Sequence, residues 1–193
     1  MESQRPPIYP KKTTLFEGKY KRFVSKDGWE YIERVNCCGI VSIMPVTDDG
    51  KIVFVEQLRV PIGKRVIEFP AGLAEGANTE KREELLQDAA RRELIEETGY
   101  DAEELICYGE GPISSSSSDD IIVLYFARGL KKVGSGGGDA TESIVVHLVN
   151  IAEVDQWLDQ KKKEGLLVDP KVFGGLYYLK HKIHNAIRKS DDG

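Results

Sequence analysis

From residue 13 onward, short apolar runs alternate with turn residues until a longer helical periodicity takes over near residue 80. Residues 13–16, 20–25 and 29–35 predict three strands, with Lys26-Asp27-Gly28 as the turn between the last two. Together they make an antiparallel meander. A longer apolar strand over 38–46 is closed by Asp48-Asp49-Gly50, a strong hairpin turn leading into 52–57. Residues 66–69 form a short strand running into Pro70-Ala71-Gly72, and further strands are expected over 105–109, 121–128 and 143–150. Between these groups lies one long helix, capped by Asn78 or Thr79 and running to Thr98, with Gly99 as its C-terminal stop. Asn150-Ile151-Ala152-Glu153 resembles a capping arrangement, and Val154, Trp157 and Leu158 give the helix that follows an apolar stripe. Asp169-Pro170 opens a last helix, whose inner side is lined by Val172, Leu176, Leu179 and Ile183. This order predicts an α+β fold, a mixed β-sheet covered by helices on both faces.

At 193 residues the chain is most simply one domain. The opening segment, 1–12, is polar, contains proline and is expected to be flexible. A net charge of −5 gives no reason to expect nucleic-acid or anionic-membrane partners. Three cysteines, two of them adjacent at Cys37 and Cys38, form neither a disulfide framework nor a zinc spacing. They fit core thiols in a reducing compartment. With no apolar run near membrane-spanning length and no signal-peptide pattern, a cytoplasmic location is expected.

Most of the chemistry sits on the long helix. Glu93, Glu96 and Glu97 stand at i, i+3 and i+4, so three carboxylates share one face. Like charges at that spacing destabilise a helix by roughly 0.2–0.5 kcal/mol per pair unless something cationic lies among them. A solvated acidic face is the plain reading. A hard divalent cation such as Mg²⁺, which takes oxygen ligands and enters with phosphates, is the functional one.

The flanking residues favour the second. Arg92-Glu93, aliphatic Leu94, Ile95, Glu96-Glu97, Thr98 and Gly99, with Glu84 and Gly72 upstream and Tyr100 at the last position, resemble the Nudix hydrolase signature. The match is residue for residue from Glu84 onward, but eleven residues separate Gly72 from Glu84 where the pattern has five. Beyond the box, Glu56-Gln57-Leu58-Arg59, Glu68-Phe69-Pro70-Ala71-Gly72, Ser118-Asp119-Asp120 and Thr141-Glu142 resemble the ADP-ribose and nucleoside-diphosphate-sugar pyrophosphatase branch. That likeness runs over roughly 29–182. It implies a Nudix-type α/β/α sandwich over 37–189, with the 13–36 meander added as a dimerisation element. Enzymes devoted to ADP-ribose carry a proline in the loop before Ser-Asp-Glu, where this chain has Ser115. A broader nucleoside-diphosphate-sugar preference is therefore expected.

The implied reaction is hydrolysis of a diphosphate bond to nucleoside monophosphate and sugar phosphate, with Mg²⁺ as cofactor and Mn²⁺ as substitute. Glu93, Glu96 and Glu97, with the carbonyl of Ala71, are the expected metal ligands. Arg92 is expected to orient a helix carboxylate, and Glu142 to serve as general base, with Asp139 and Asp120 as competitors. Arg59 suits the substrate diphosphate, and Glu68 and Trp29 a nucleobase. Each also has a plain reading, as ion pair or core aromatic. His147 reads as an ordinary strand-face histidine. Ser114–Ser118 and the glycines before Asp139 read as hairpin tips, or as mobile loops beside the site. A nucleoside triphosphate or RNA 5′-end pyrophosphohydrolase and a non-catalytic nucleotide-sensing module are the alternatives. The intact glutamates speak against the module.

Overall fold

The computed structural model describes residues 11–76, 81–138 and 143–183. The chain begins with β1 (Thr13–Glu17), β2 (Lys21–Lys26) and β3 (Trp29–Arg34), a three-stranded antiparallel sheet. Asp27 and Gly28 both take positive φ, as the tight hairpin between β2 and β3 requires. Next come β4 (Cys37–Pro45), β5 (Lys51–Arg59), a 3₁₀ turn (Val60–Ile62), β6 (Lys64–Glu68) and β7 (Ala71–Glu75). The long helix α1 spans Arg82–Thr98. After it stand β8 (Tyr100–Pro112), β9 (Ile121–Lys132), β10 (Ile144–Asn150), α2 (Val154–Lys163), β11 (Leu167–Val168) and α3 (Pro170–Tyr178).

One four-stranded sheet runs β7-β4-β9-β8, with β4 and β9 parallel and the outer pairs antiparallel. The other runs β10-β5-β6-β11. Alternation along β4 and β9 sends side chains to opposite faces. Val41, Ile43, Val123 and Tyr125 pack under Leu86, Ala89, Ala90 and Leu94 of α1. Met44 and Phe126 face the other way, into a core shared with Phe54, Phe69, Leu158, Val172 and Leu176. There Phe54 stacks on Phe69 and Trp157. Helices on both faces of a mixed sheet give the expected α/β/α sandwich, and among the described residues no helix is long and apolar enough to cross a membrane.

Several boundaries differ from the sequence reading. The strand expected over 105–109 is the middle of the 13-residue β8, and β9 extends to Lys132. Gly109 and Gly129 lie inside these strands. β7 and the two-residue β11 were not anticipated. Short edge strands carry too few residues for a period to show. β7 also accounts for part of the expanded stretch after Gly72: it pairs with β4 as far as Glu75, and the N–H of Gly76 bonds the carbonyl of Asn36. Asn78 and Thr79, the expected caps of α1, lie outside the described residues, and Lys81 at the helix start makes no side-chain cap. The other two caps form, Asn150 accepting from the N–H of Ala152 and Asp169 from that of Lys171.

Candidate active site

The box residues come together because β7 lies across α1. Gly72 meets the helix so closely that a Cβ built there would fall inside the Glu93 carboxylate. Behind it Glu97, 3% exposed, accepts the backbone N–H of Ala71 at 3.3 Å. Arg92 spans the outer acids, with Nη2 2.8 Å from Glu93 Oε1, Nη1 3.0 Å from Glu96 Oε2, and a further bond from Nη2 to the Leu73 carbonyl. Burial pulls the Arg92 guanidinium toward neutrality, but the charges of Glu93 and Glu96 outweigh it and hold its pKa above the ordinary arginine value. The cation that relieves the crowded helix face in this structure is thus Arg92.

Ala71, Gly72, Glu93 and Arg92 line a cleft of about 580 Å³ together with Arg34, Arg59, Glu68, Asp169 and Lys171. Arg59 of β5 and Glu68 of β6 form a bidentate pair with both bonds at 2.7 Å, although in the strand register Arg59 faces Lys64 and Glu68 faces Val55. The bond to buried Glu68 is the main reason the Arg59 pKa is raised.

The end of α1 is clamped from outside. Gly99 closes it in a left-handed turn, its N–H bonded to the Ile95 carbonyl at 2.8 Å. The next chain segment then supplies donors that the helix lacks. Gly137 N–H bonds the Glu97 carbonyl at 2.8 Å, Gly138 N–H the Glu96 carbonyl at 3.0 Å, and Lys132 Nζ the Thr98 carbonyl at 2.8 Å. Gly136 lies on Thr98 with no space for a Cβ. The glycine run is therefore a cap on α1, not a free hairpin tip.

The serine run is likewise fixed. Ser117 and Ser118 turn back on the Ser114 carbonyl, and Ile32 of β3 bonds Ser117 and Asp119 on either side. Arg34 Nε holds Asp120 Oδ1 at 2.8 Å. Trp29 stands apart from the cleft, beside a separate hollow of about 410 Å³ lined also by Tyr31, Ser115 and Ser118. Glu96 is half exposed, turned to Arg92. Glu142 and Asp139 lie outside the described residues. His147 bonds Glu56 Oε2 at 3.0 Å and packs near Trp157, away from the cleft. Sequence reasoning missed Arg34, Asp169 and Lys171. Arg34 and Lys171 belong to no motif and Asp169 was read only as the opening of a helix, so only the fold brings them to the cleft.

Among the described residues no group of three or more His, Cys, Asp or Glu is gathered as a metal cluster. The donors nevertheless suit a hard divalent cation. They are carboxylates of one rigid helix face and the β7 backbone, with Gly72 kept free of a side chain where Glu93 sits.

The profile of the NUDIX domain matches residues 39–167. The chain belongs to the Nudix family. It is similar to a methanol dehydrogenase activator of Bacillus methanolicus, 35% identical over 142 residues, 73% of this chain and 71% of the relative. An ADP-ribose pyrophosphatase of Bacillus subtilis is 39% identical over 92 residues, 48% of this chain and 46% of the relative. A solved structure described as an ADP compounds hydrolase superposes over 96% of this chain and 98% of its own, with a TM-score of 0.68 at 18% identity, which shows the shared fold. The chain is a Nudix hydrolase, and α1 with the β7 lead-in is its Nudix box.

Proposed function

We propose that this Nudix hydrolase cuts the diphosphate bond of nucleoside-diphosphate sugars, ADP-ribose or GDP-mannose among them, to nucleoside monophosphate and sugar phosphate. The observation that carries the reading is the Glu93 carboxylate seated against Gly72 in a cleft that also holds arginines from two other elements. The likeness to ADP-ribose pyrophosphatases supports the substrate class. Ser115, in place of a proline, supports a range broader than ADP-ribose.

Glu93, Glu97 and the Ala71 carbonyl would hold Mg²⁺, or Mn²⁺ in its place, and Glu96 would share a second ion once released by Arg92. When bound, the cation neutralises charge developing on phosphoryl oxygens and favours ionisation of water. Arg92 orients Glu93 through its 2.8 Å contact. Arg59 fixes Glu68 at the cleft wall, so that this carboxylate meets the base with one orientation. Glu142 is our choice of general base. Asp120 is a weaker one, because its Oδ1 is already engaged by Arg34.

The 13–36 meander is proposed as a homodimer surface separate from the 37–189 hydrolase domain. Leu15, Phe16, Tyr20 and Trp29 are all exposed on it, and in a dimer Trp29 would reach substrate. A cytoplasmic location fits the free cysteines. The similarity to a methanol dehydrogenase activator over 73% of the chain supports a second reading, in which the same domain activates such a dehydrogenase.

Assay of ADP-ribose, GDP-mannose, UDP-glucose, dNTPs and capped RNA with Mg²⁺, and of a methanol dehydrogenase with and without the protein, tests these readings together. Monophosphate release from the sugar nucleotides is expected. Turnover confined to triphosphates or RNA would overturn the proposal.

A further inference from the structure

We infer that Cys37 and Cys38 are a thiol-modification site, where a small organic disulfide oxidises the adjacent pair and loosens the β4–β7 seam that seats the Nudix box. The site stands on its own geometry, while the change in activity that reports it rests on the diphosphate reading above.

On a regular strand, neighbouring side chains face opposite sides. Here the β4–β7 pairing steps from Cys37–Glu75 directly to Gly39–Ala74, so Cys38 is the extra residue of a β-bulge. A bulge re-aims side chains, and both cysteines line one hollow of about 290 Å³, each half-buried. Each thiol donates to a carbonyl, Cys37 Sγ to that of Gly39 at 3.1 Å and Cys38 Sγ to that of Ala74 at 3.4 Å. An S–H is a weak donor, so neither bond locks its sulfur away from exchange. Burial lifts the Cys37 thiol above its ordinary value, against the Gly39 bond and the charge of Arg34. That suits Cys37 to the second, intramolecular step, where adjacency makes up for a small thiolate fraction.

Cys38, as thiolate, attacks one sulfur of a disulfide RSSR and expels RS⁻, leaving a mixed disulfide on Cys38. Cys37, as thiolate, then attacks Cys38 Sγ; the Cys37–Cys38 bond forms and a second RS⁻ leaves. The two thiol protons end on the two RS⁻, so the pair loses two electrons and RSSR is reduced to two RSH. Adjacent Cα atoms stand about 3.8 Å apart, under the usual span of a disulfide, so the ring closes only as the 37–38 peptide moves. That peptide is a junction. The Cys38 carbonyl accepts from Arg82 Nε, at the start of α1, at 3.2 Å. Cys38 Sγ reaches Ala74 of β7, and the Asn36 carbonyl holds the N–H of Gly76 just beyond. Cys38 also packs against the core beneath α1. Moving the peptide therefore loosens β7 and the first turn of α1, the two elements whose contact sets Gly72 against Glu93. A bond so strained is readily reduced, and the change reverses.

The test uses the full chain carrying Cys107→Ser, which removes the exposed third thiol, with hydroxyethyl disulfide as the oxidant. Intact mass should fall by two hydrogens with no adduct, and thiol titration should find none left. Hydrolysis of ADP-ribose with Mg²⁺ should drop about 10- to 100-fold, the scale of a small displacement in a reacting site. Dithiothreitol should restore thiols and rate together. In the same background Cys37→Ser should stop at the mixed disulfide, with one mercaptoethanol adduct on Cys38. Two persisting thiols, an adduct on each cysteine, a disulfide joining two chains, or an internally oxidised protein with the parental rate would each overturn the inference. Should the parent protein hydrolyse no sugar nucleotide, the substrate reading fails by itself. Mass and thiol count then still decide whether the pair oxidises, and a Tm lowered or unchanged by oxidation decides whether the seam loosens.

Discussion

Gly72 has no freedom to be anything else, because the space for its Cβ is taken by the Glu93 carboxylate. Gly72→Ala must push that carboxylate out of place, and a displacement near 1 Å in a reacting constellation costs on the order of 10²-fold in rate. We expect kcat to fall by about that factor while circular dichroism stays that of the parent protein. An alanine variant with parental kcat would remove Glu93 from the site. At this scale much was legible in the chain. Helical spacing put Glu93, Glu96 and Glu97 on a common face, and the flanking signature residues, Arg92 among them, marked that face as a site. The Arg59–Glu68 pair was not legible. The two are nine residues apart and are not paired in the β5–β6 register, so neither a period nor a hairpin pairing marks them. Arg34 was the hardest to see, since it reaches the cleft from a different sheet by way of an aspartate 86 residues away.

Helix α1 is held as an element, and the way it is held was misread from the sequence. Glycine-rich segments are read as flexible because glycine costs backbone entropy. Here the absence of side chains lets backbone approach backbone, so the N–H groups of Gly137 and Gly138 reach the helix carbonyls that bear Glu97 and Glu96. Composition reports the freedom and not the contact that removes it. Gly136 has φ near +71° as well as no space, so Gly136→Val combines strain with overpacking. Each costs roughly 1–3 kcal/mol, enough to lower Tm by several degrees. Because the clamp fixes the register of α1, we also expect the Mg²⁺ concentration for half-maximal rate to rise. A variant with parental Tm would show that the glycines carry no load. The missed strand β7 teaches the converse point. Its five residues show no alternation, yet pairing with β4 is what sets Ala71 and Gly72 against the helix.

At the scale of the whole molecule, one group of exposed apolar side chains belongs to the β1–β3 region, where Phe16, Tyr20 and Trp29 are each about two-thirds exposed. A small three-stranded sheet with such exposed groups would be stabilised by the second copy proposed above. Sedimentation should give a dimer, and Trp29→Glu a weaker one. A monomer at micromolar concentration would remove the proposed interface. The α/β/α layering itself followed from the order of apolar runs, because strands bracketing one long amphipathic helix leave few ways to bury both faces of a mixed sheet.

The central proposal is that α1 carries a metal–diphosphate site. The direct measurement is the rate of ADP-ribose cleavage against Mg²⁺ concentration for the parent protein and for Glu97→Gln, with melting curves for both. The parent protein should show saturable Mg²⁺ dependence, and Glu97→Gln no turnover with its fold retained. Turnover without divalent cation, or a Glu97→Gln curve that matches the parental one, would contradict it.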